Sequence, residues 1–123
     1  KIKPNKVCIM DIDPMCQPIG GWMYPKIKHT WGKIEDWNPD DEHFDIIVLP
    51  SCEHITDETL NNFLSKKNES TLVCLTSNNM HSHEDHINSK GSVHDFSNSV
   101  KLRILKECEL KLDGYTRFMI FGV

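Results

Sequence analysis

Three short apolar runs stand out of an otherwise polar chain: Val7-Cys8-Ile9-Met10, Phe44-Asp45-Ile46-Ile47-Val48-Leu49 and Thr71-Leu72-Val73-Cys74-Leu75. Runs of this length without polar alternation are the pattern of strands covered on both faces in a parallel sheet. Residues 26–31 form a fourth, weaker strand pattern. Between the second and third runs Thr56 is placed as a helix N-cap, with Asp57 and Glu58 suited to the first turn. Leu60, Phe63 and Leu64 then repeat at the spacing of one buried helical face, and Lys66 and Lys67 suit its C-terminus. Strand, helix and strand in about 30 residues make a βαβ unit, which requires parallel strands and a right-handed crossover.

The remaining segments are less regular. In the stretch 15–25, Pro18, Gly20, Gly21 and Pro25 argue against a long helix. Residues 78–99 are polar and read as a long loop ending in a helix from about Phe96, with Val100, Ile104, Leu105 and Cys108 on its buried face. Leu110 and Leu112 alternate with charged residues, Asp113-Gly114 is a tight-turn signal, and residues 116–123 form a closing strand. The expected order is therefore a parallel α/β core followed by an antiparallel hairpin.

Composition narrows the class. A chain of 123 residues supports one domain, and 38% apolar with 26% charged residues places it among globular sequences. No apolar run approaches the roughly 20 residues of a membrane-spanning helix. A net charge of −4 does not indicate nucleic-acid binding, which needs clustered Lys and Arg. Five cysteines, Cys8, Cys16, Cys52, Cys74 and Cys108, without close pairing fit the cytoplasm or another reducing compartment. Asn68-Glu69-Ser70 is a glycosylation sequon that has meaning only in a secretory context. The start at Lys1 has basic residues without the apolar core of a signal peptide and without an initiator Met, so a fragment or a processed chain is expected.

The hairpin ending resembles that of class I, Rossmann-like S-adenosylmethionine methyltransferases, over about residues 3–123. The resemblance implies a single α/β domain, three-layered, with a mainly parallel sheet and an antiparallel C-terminal hairpin strand. Lys3-Pro4-Asn5-Lys6-Val7-Cys8-Ile9-Met10-Asp11-Ile12-Asp13-Pro14 is similar to the family's second strand, whose acidic end residue grips the cofactor ribose; Asp11 is the first choice and Asp13 the second. Ile34-Glu35-Asp36-Trp37 resembles the third-strand end, which implies adenine contacts for Asp36 and Trp37. The loop Pro50-Ser51-Cys52-Glu53-His54 follows the family's fourth strand and faces the methyl donor, which makes Ser51, Cys52, Glu53 and His54 catalytic candidates. It is not an Asn-Pro-Pro-Tyr type motif, so no amino-methylation signature is present.

The chain departs from the family in lacking its first strand and glycine-rich turn; Gly20-Gly21 comes too late to replace them. These residues alone are therefore expected to hold S-adenosylmethionine poorly, and a further polypeptide segment or subunit is expected to complete the domain. The alternative is a non-catalytic module, methyltransferase-like or, from residues 44–75, glutamine-amidotransferase-like. Asp11 and Asp13 with Thr76-Ser77-Asn78 also resemble haloacid-dehalogenase phosphatases, without the later acidic pair.

One further motif carries chemistry. His81-Ser82-His83-Glu84-Asp85-His86 resembles the H-x-H-x-D-H pattern of metallo-β-lactamases, which makes His81, His83, Asp85 and His86 metal candidates and metal-dependent hydrolysis a second alternative. His94 and Asp95 lie too near to supply that family's distant ligands, so no tightly held metal pair is expected here.

Overall fold

A computed structural model describes residues 4–38 and 43–123. Residues 1–3, half of the basic start, lie outside the described residues. The chain forms two compact units, one extending to Trp37 and the other starting at Asn38.

In the first unit, β1 (Cys8–Asp11) and β2 (Lys28–Trp31) pair in parallel, with Cys8 opposite Lys28 and Asp11 opposite Trp31. They are joined by α1 (Cys16–Met23), so the stretch 15–25 does form a helix, of eight residues. Pro18 sits in its first turn, where the backbone N–H has no intrahelical acceptor to lose. Gly20 serves packing: a Cβ there would run into the His29 ring, whereas at Gly21 nothing lies within 4 Å. Gly20→Ala should therefore lower the melting point of this unit, while Gly21→Ala raises its stability by about 0.5–1 kcal/mol. Tryptophan fluorescence reads this unit selectively, because Trp22, Trp31 and Trp37 all belong to it. Equal effects of the two substitutions would contradict the packing assignment.

The second unit holds the core. Its sheet order is β3-β4-β6-β5, formed by Ile46–Leu49 (β3), Leu72–Asn78 (β4), Tyr115–Gly122 (β6) and Ile104–Leu112 (β5). β3 and β4 are parallel, Leu49 facing Leu75, whereas β6 runs antiparallel to both β4 and β5. The crossover helix α2 (Asp57–Ser65) begins as its sequence requires: the Thr56 hydroxyl accepts from the Thr59 N–H at 3.2 Å. Its Leu60, Phe63 and Leu64 are buried with Val73, Leu75, Phe118 and Ile120 of the sheet. Gly114 takes φ 82° in the β5–β6 turn, a conformation L side chains rarely adopt. In the four-stranded sheet β3, β4 and β5 run in one direction and β6 alone runs against them, while β1 and β2 of the first unit are parallel. Each βαβ crossover contributes one parallel pairing, β5 and β6 form the hairpin, and β6 also pairs with β4.

One expected element is misplaced. The third helix, α3 (Val93–Ser99), ends where the helix from Phe96 was expected to run on, and residues 104–112 are a strand. Val100 is already extended, at φ −111° and ψ 144°. Two side chains set these limits. Ser92 caps the start, accepting from the Asp95 N–H at 3.0 Å and donating to Asp95 Oδ2 at 2.8 Å. Asn61, from α2, takes the end: its Nδ2 donates to the Ser99 carbonyl at 2.8 Å and its Oδ1 accepts from the Lys101 N–H. Cys108, Leu110 and Leu112 alternate with charged residues and fit a strand, a register shift between Ile104 and Lys106 sets Ile104 apart from that alternation, and Leu105, expected on a buried helical face, is half exposed.

Candidate functional site

The chemistry-bearing residues of the second unit gather at the carboxyl ends of the parallel pair β3 and β4, the edge where open α/β sheets place ligands. β3 leads through Pro50 into a 3-10 turn over Cys52–His54. This turn sinks Glu53 to 3% exposure while leaving His54 exposed. Glu53 Oε1 accepts from Asn78 Nδ2 at 2.8 Å, and Asn78 is the last residue of β4. Glu53 Oε2 is buried with no hydrogen-bond partner.

The loop after β4 returns His86 to the same place. His54 Nδ1 donates to the Asp85 carbonyl at 2.8 Å, and His86 Nδ1 donates to the Met80 carbonyl at 3.0 Å. The His54 and His86 rings meet edge to face at 4.8 Å between centroids, and His83 stacks on His86 at 4.5 Å. One donor atom from each of Glu53, His54 and His86 lies within 4.8 Å of the others. Of the histidine-motif candidates, only His86 enters this group: His83 packs against it, Asp85 contributes a backbone carbonyl, and His81 is exposed. His86 meets Glu53 and His54 because the chain turns between His83 and His86 and faces the 3-10 turn after β3.

The loop is fastened and not merely a solvated run. The Asn88 N–H donates to the Glu53 carbonyl at 2.9 Å, Asn88 Nδ2 reaches the Ile55 carbonyl and Asp57 Oδ1, and the Lys90 N–H donates to the Asn78 carbonyl at 3.0 Å. Lys90 Nζ contacts both Asp57 oxygens at 2.8 Å. Burial raises the Asp57 carboxyl, but the bonds from Lys90 and Asn88 outweigh it and hold the group below its ordinary 3.8. A carboxyl whose folded pKa is lowered stabilises above its unfolded pKa and loses that contribution as pH falls through the folded value. Lys90→Met should therefore cost about 1 kcal/mol at pH 7, and the part due to the ion pair should fade as pH falls through the carboxyl's lowered pKa. Denaturant melts at pH 7 and pH 3 check this; a pH-independent difference would contradict it. Asn78, Asn88 and Lys90 are the residues sequence reasoning passed over; only polarity marks them, and their roles depend on contacts made across the loop.

The other candidates divide. Ser51 is exposed and its side chain caps nothing. Cys52 is 1% exposed, and burial, with the neighbouring Glu53 carboxylate adding to it, pushes its thiol up to about 12. It remains protonated near neutral pH and packs as a small core side chain. In the first unit Asp11 ends β1, and its Oδ1 accepts from the Asp13 N–H at 2.9 Å; Asp13 Oδ1 accepts from the Met15 N–H at 2.9 Å. Asp36 Oδ2 accepts from the Lys33 N–H at 3.0 Å, and Trp37 follows it, half buried. A carboxylate has about four lone-pair sites, so each keeps capacity for a ligand. The Cys16 thiol is raised by burial and then by Asp11 and Asp13, which marks this turn as an electronegative spot.

No protein-family model matches the chain, and no curated protein matches it in sequence. Solved structures do match in fold. The N-methyltransferase NodS from Bradyrhizobium japonicum WM9 superposes with a TM-score of 0.67 at 10% identity, over 95% of this chain and 73% of that one; NodS has also been crystallised with S-adenosyl-L-homocysteine. A TehB-like SAM-dependent methyltransferase from Corynebacterium glutamicum ATCC 13032 gives 0.69 at 13% identity, over 96% and 67%. LepI in complex with SAM gives 0.69 at 10% identity, over 98% of this chain and 37% of that one. The chain thus has the α/β fold of these proteins and spans little more than a third of LepI. No candidate helix among the described residues is long and apolar enough to cross a membrane.

Proposed function

We propose that these residues form the greater part of an S-adenosylmethionine-dependent methyltransferase domain with a three-layer arrangement. The observation that carries this reading is the sheet order β3-β4-β6-β5 with β6 antiparallel to its neighbours, in a chain that superposes along nearly its whole length on proteins crystallised with SAM or its demethylated product. Fold alone does not fix chemistry, so the proposal rests equally on acidic residues at the end of β1 and in the 3-10 turn Ile34–Asp36 that follows β2. Asp11, with Asp13 behind it, takes the ribose hydroxyls; Asp36 meets the adenine amino group and Trp37 packs on the ring. In the second unit, Ser51, Glu53 and His54 on the loop after β3 are the candidates for the methyl-acceptor side. The protonated Cys52 supports that loop from within the core.

A further segment, of the same polypeptide or of a second subunit, completes the site. β3 is an edge of its four-stranded sheet, so an added strand can pair with its outer backbone groups. The glycine-rich turn that approaches the methionine end of the cofactor belongs to that segment. Titration calorimetry with S-adenosylhomocysteine tests the reading. The 123 residues bind weakly, and Asp11→Ala lowers the affinity by roughly tenfold or more, the loss of one charged hydrogen-bond partner. Micromolar binding indifferent to Asp11 would overturn it. The runner-up, a non-catalytic module acting through protein contacts, draws support from the same open β3 edge and predicts no binding at all.

A further inference from the structure

We propose that Glu53, His54 and His86 bind one divalent transition-metal ion, zinc being the preferred occupant. Four observations converge. The three donors lie within 4.8 Å of one another, and among the described residues they form the one such group of three. A tetrahedral zinc with bonds of about 2.1 Å draws its donors to roughly 3.4 Å apart, a closing of little more than 1 Å that small shifts of the two loops supply with the imidazole hydrogen bonds kept. Both imidazoles are already set for coordination. Each Nδ1 faces a backbone carbonyl, Asp85 for His54 and Met80 for His86, so the proton sits on Nδ1 and the Nε2 lone pair is left for a metal.

The buried carboxylate supplies the independent argument. Glu53 is 3% exposed and its Oε2 has no hydrogen-bond partner, an arrangement that costs free energy unless a donor or a cation meets that oxygen. Asn78 Nδ2 holds Oε1 at 2.8 Å and thereby fixes the carboxylate's orientation, as an outer-shell partner does. Two imidazoles and one carboxylate suit zinc, and three protein donors leave a position for water or another oxygen ligand. The site lies outside the carboxyl ends of β3 and β4, where an α/β sheet is open to ligands. The inference does not rest on methyl transfer and stands or falls separately from it.

Protein purified without a metal-affinity column is titrated with zinc against a chromophoric chelator, and cobalt(II) is used in parallel for its visible spectrum. One equivalent should bind, giving the absorption of a four-coordinate ion. Affinity should fall more than about a hundredfold in His54→Ala, His86→Ala and Glu53→Gln, beyond what outer-shell losses cost, while His81→Ala binds as wild type. Circular dichroism of the metal-free variants confirms that they are folded; His54→Ala, at an exposed position, keeps the test valid if Glu53→Gln does not fold. Absence of stoichiometric binding would overturn the proposal. So would binding that survives Glu53→Gln and is lost on His81→Ala or His83→Ala, because the ion would then sit on the surface motif.

Discussion

Phe118→Ala should destabilise the second unit by about 3–5 kcal/mol, the usual cost of removing a fully buried aromatic side chain. Phe118 is 1% exposed on β6, opposite Ser77 of β4 and Glu109 of β5, so it sits in the strand that joins the parallel pair to the hairpin. Total stabilities of small domains are about 5–15 kcal/mol, so this one truncation approaches unfolding. Far-UV circular dichroism through a denaturant titration measures it. Leu110→Ala, at a side chain 58% exposed on the neighbouring strand, should change stability by less than about 0.5 kcal/mol. Comparable losses at the two positions would mean that the core is not organised around β6.

Asn78→Leu should cost about 3 kcal/mol although it adds apolar bulk to a buried position. Asn78 is 2% exposed and each of its amide atoms is engaged: Nδ2 donates to Glu53 Oε1, and Oδ1 accepts from the Met80 N–H at 2.8 Å. Leucine leaves Glu53 with both oxygens unpaired and the Met80 N–H without this acceptor, and each stranded polar group costs about 1–3 kcal/mol. The loss should also loosen the loop after β4, since Ser89 contacts Asn78 Oδ1 and the Met80 carbonyl, which holds His86. Amide hydrogen exchange across residues 80–90 should speed up in the variant. A variant as stable as wild type with unchanged exchange would show that Asn78 is a passenger and not the keystone of the site.

How much of this was legible in the sequence depends on whether a contact is local. The α2 cap at Thr56, the buried face Leu60, Phe63 and Leu64, and the Asp113-Gly114 turn are all set by neighbours within a few residues, and each appears where the pattern places it. The end of α3 is set by Asn61, 38 residues away from Ser99, and no local pattern announces it. The same holds for the metal-type cluster. His86 was visible as part of a histidine motif and Glu53 and His54 as a loop after a strand, but their meeting is a product of β3 and β4 being adjacent. The motif string drew attention to His81 and His83, whereas the fold selects the histidine that faces the buried carboxylate.

The cofactor reading is tested most directly by a backbone amide NMR titration of the chain with millimolar S-adenosylhomocysteine, a method that tolerates weak binding. Shifts should concentrate at Asp11 and Asp13 after β1 and at Asp36 and Trp37 in the turn that follows β2, and should be lost in Asp11→Ala. Shifts absent from those residues at saturating ligand, or unchanged in Asp11→Ala, would contradict it.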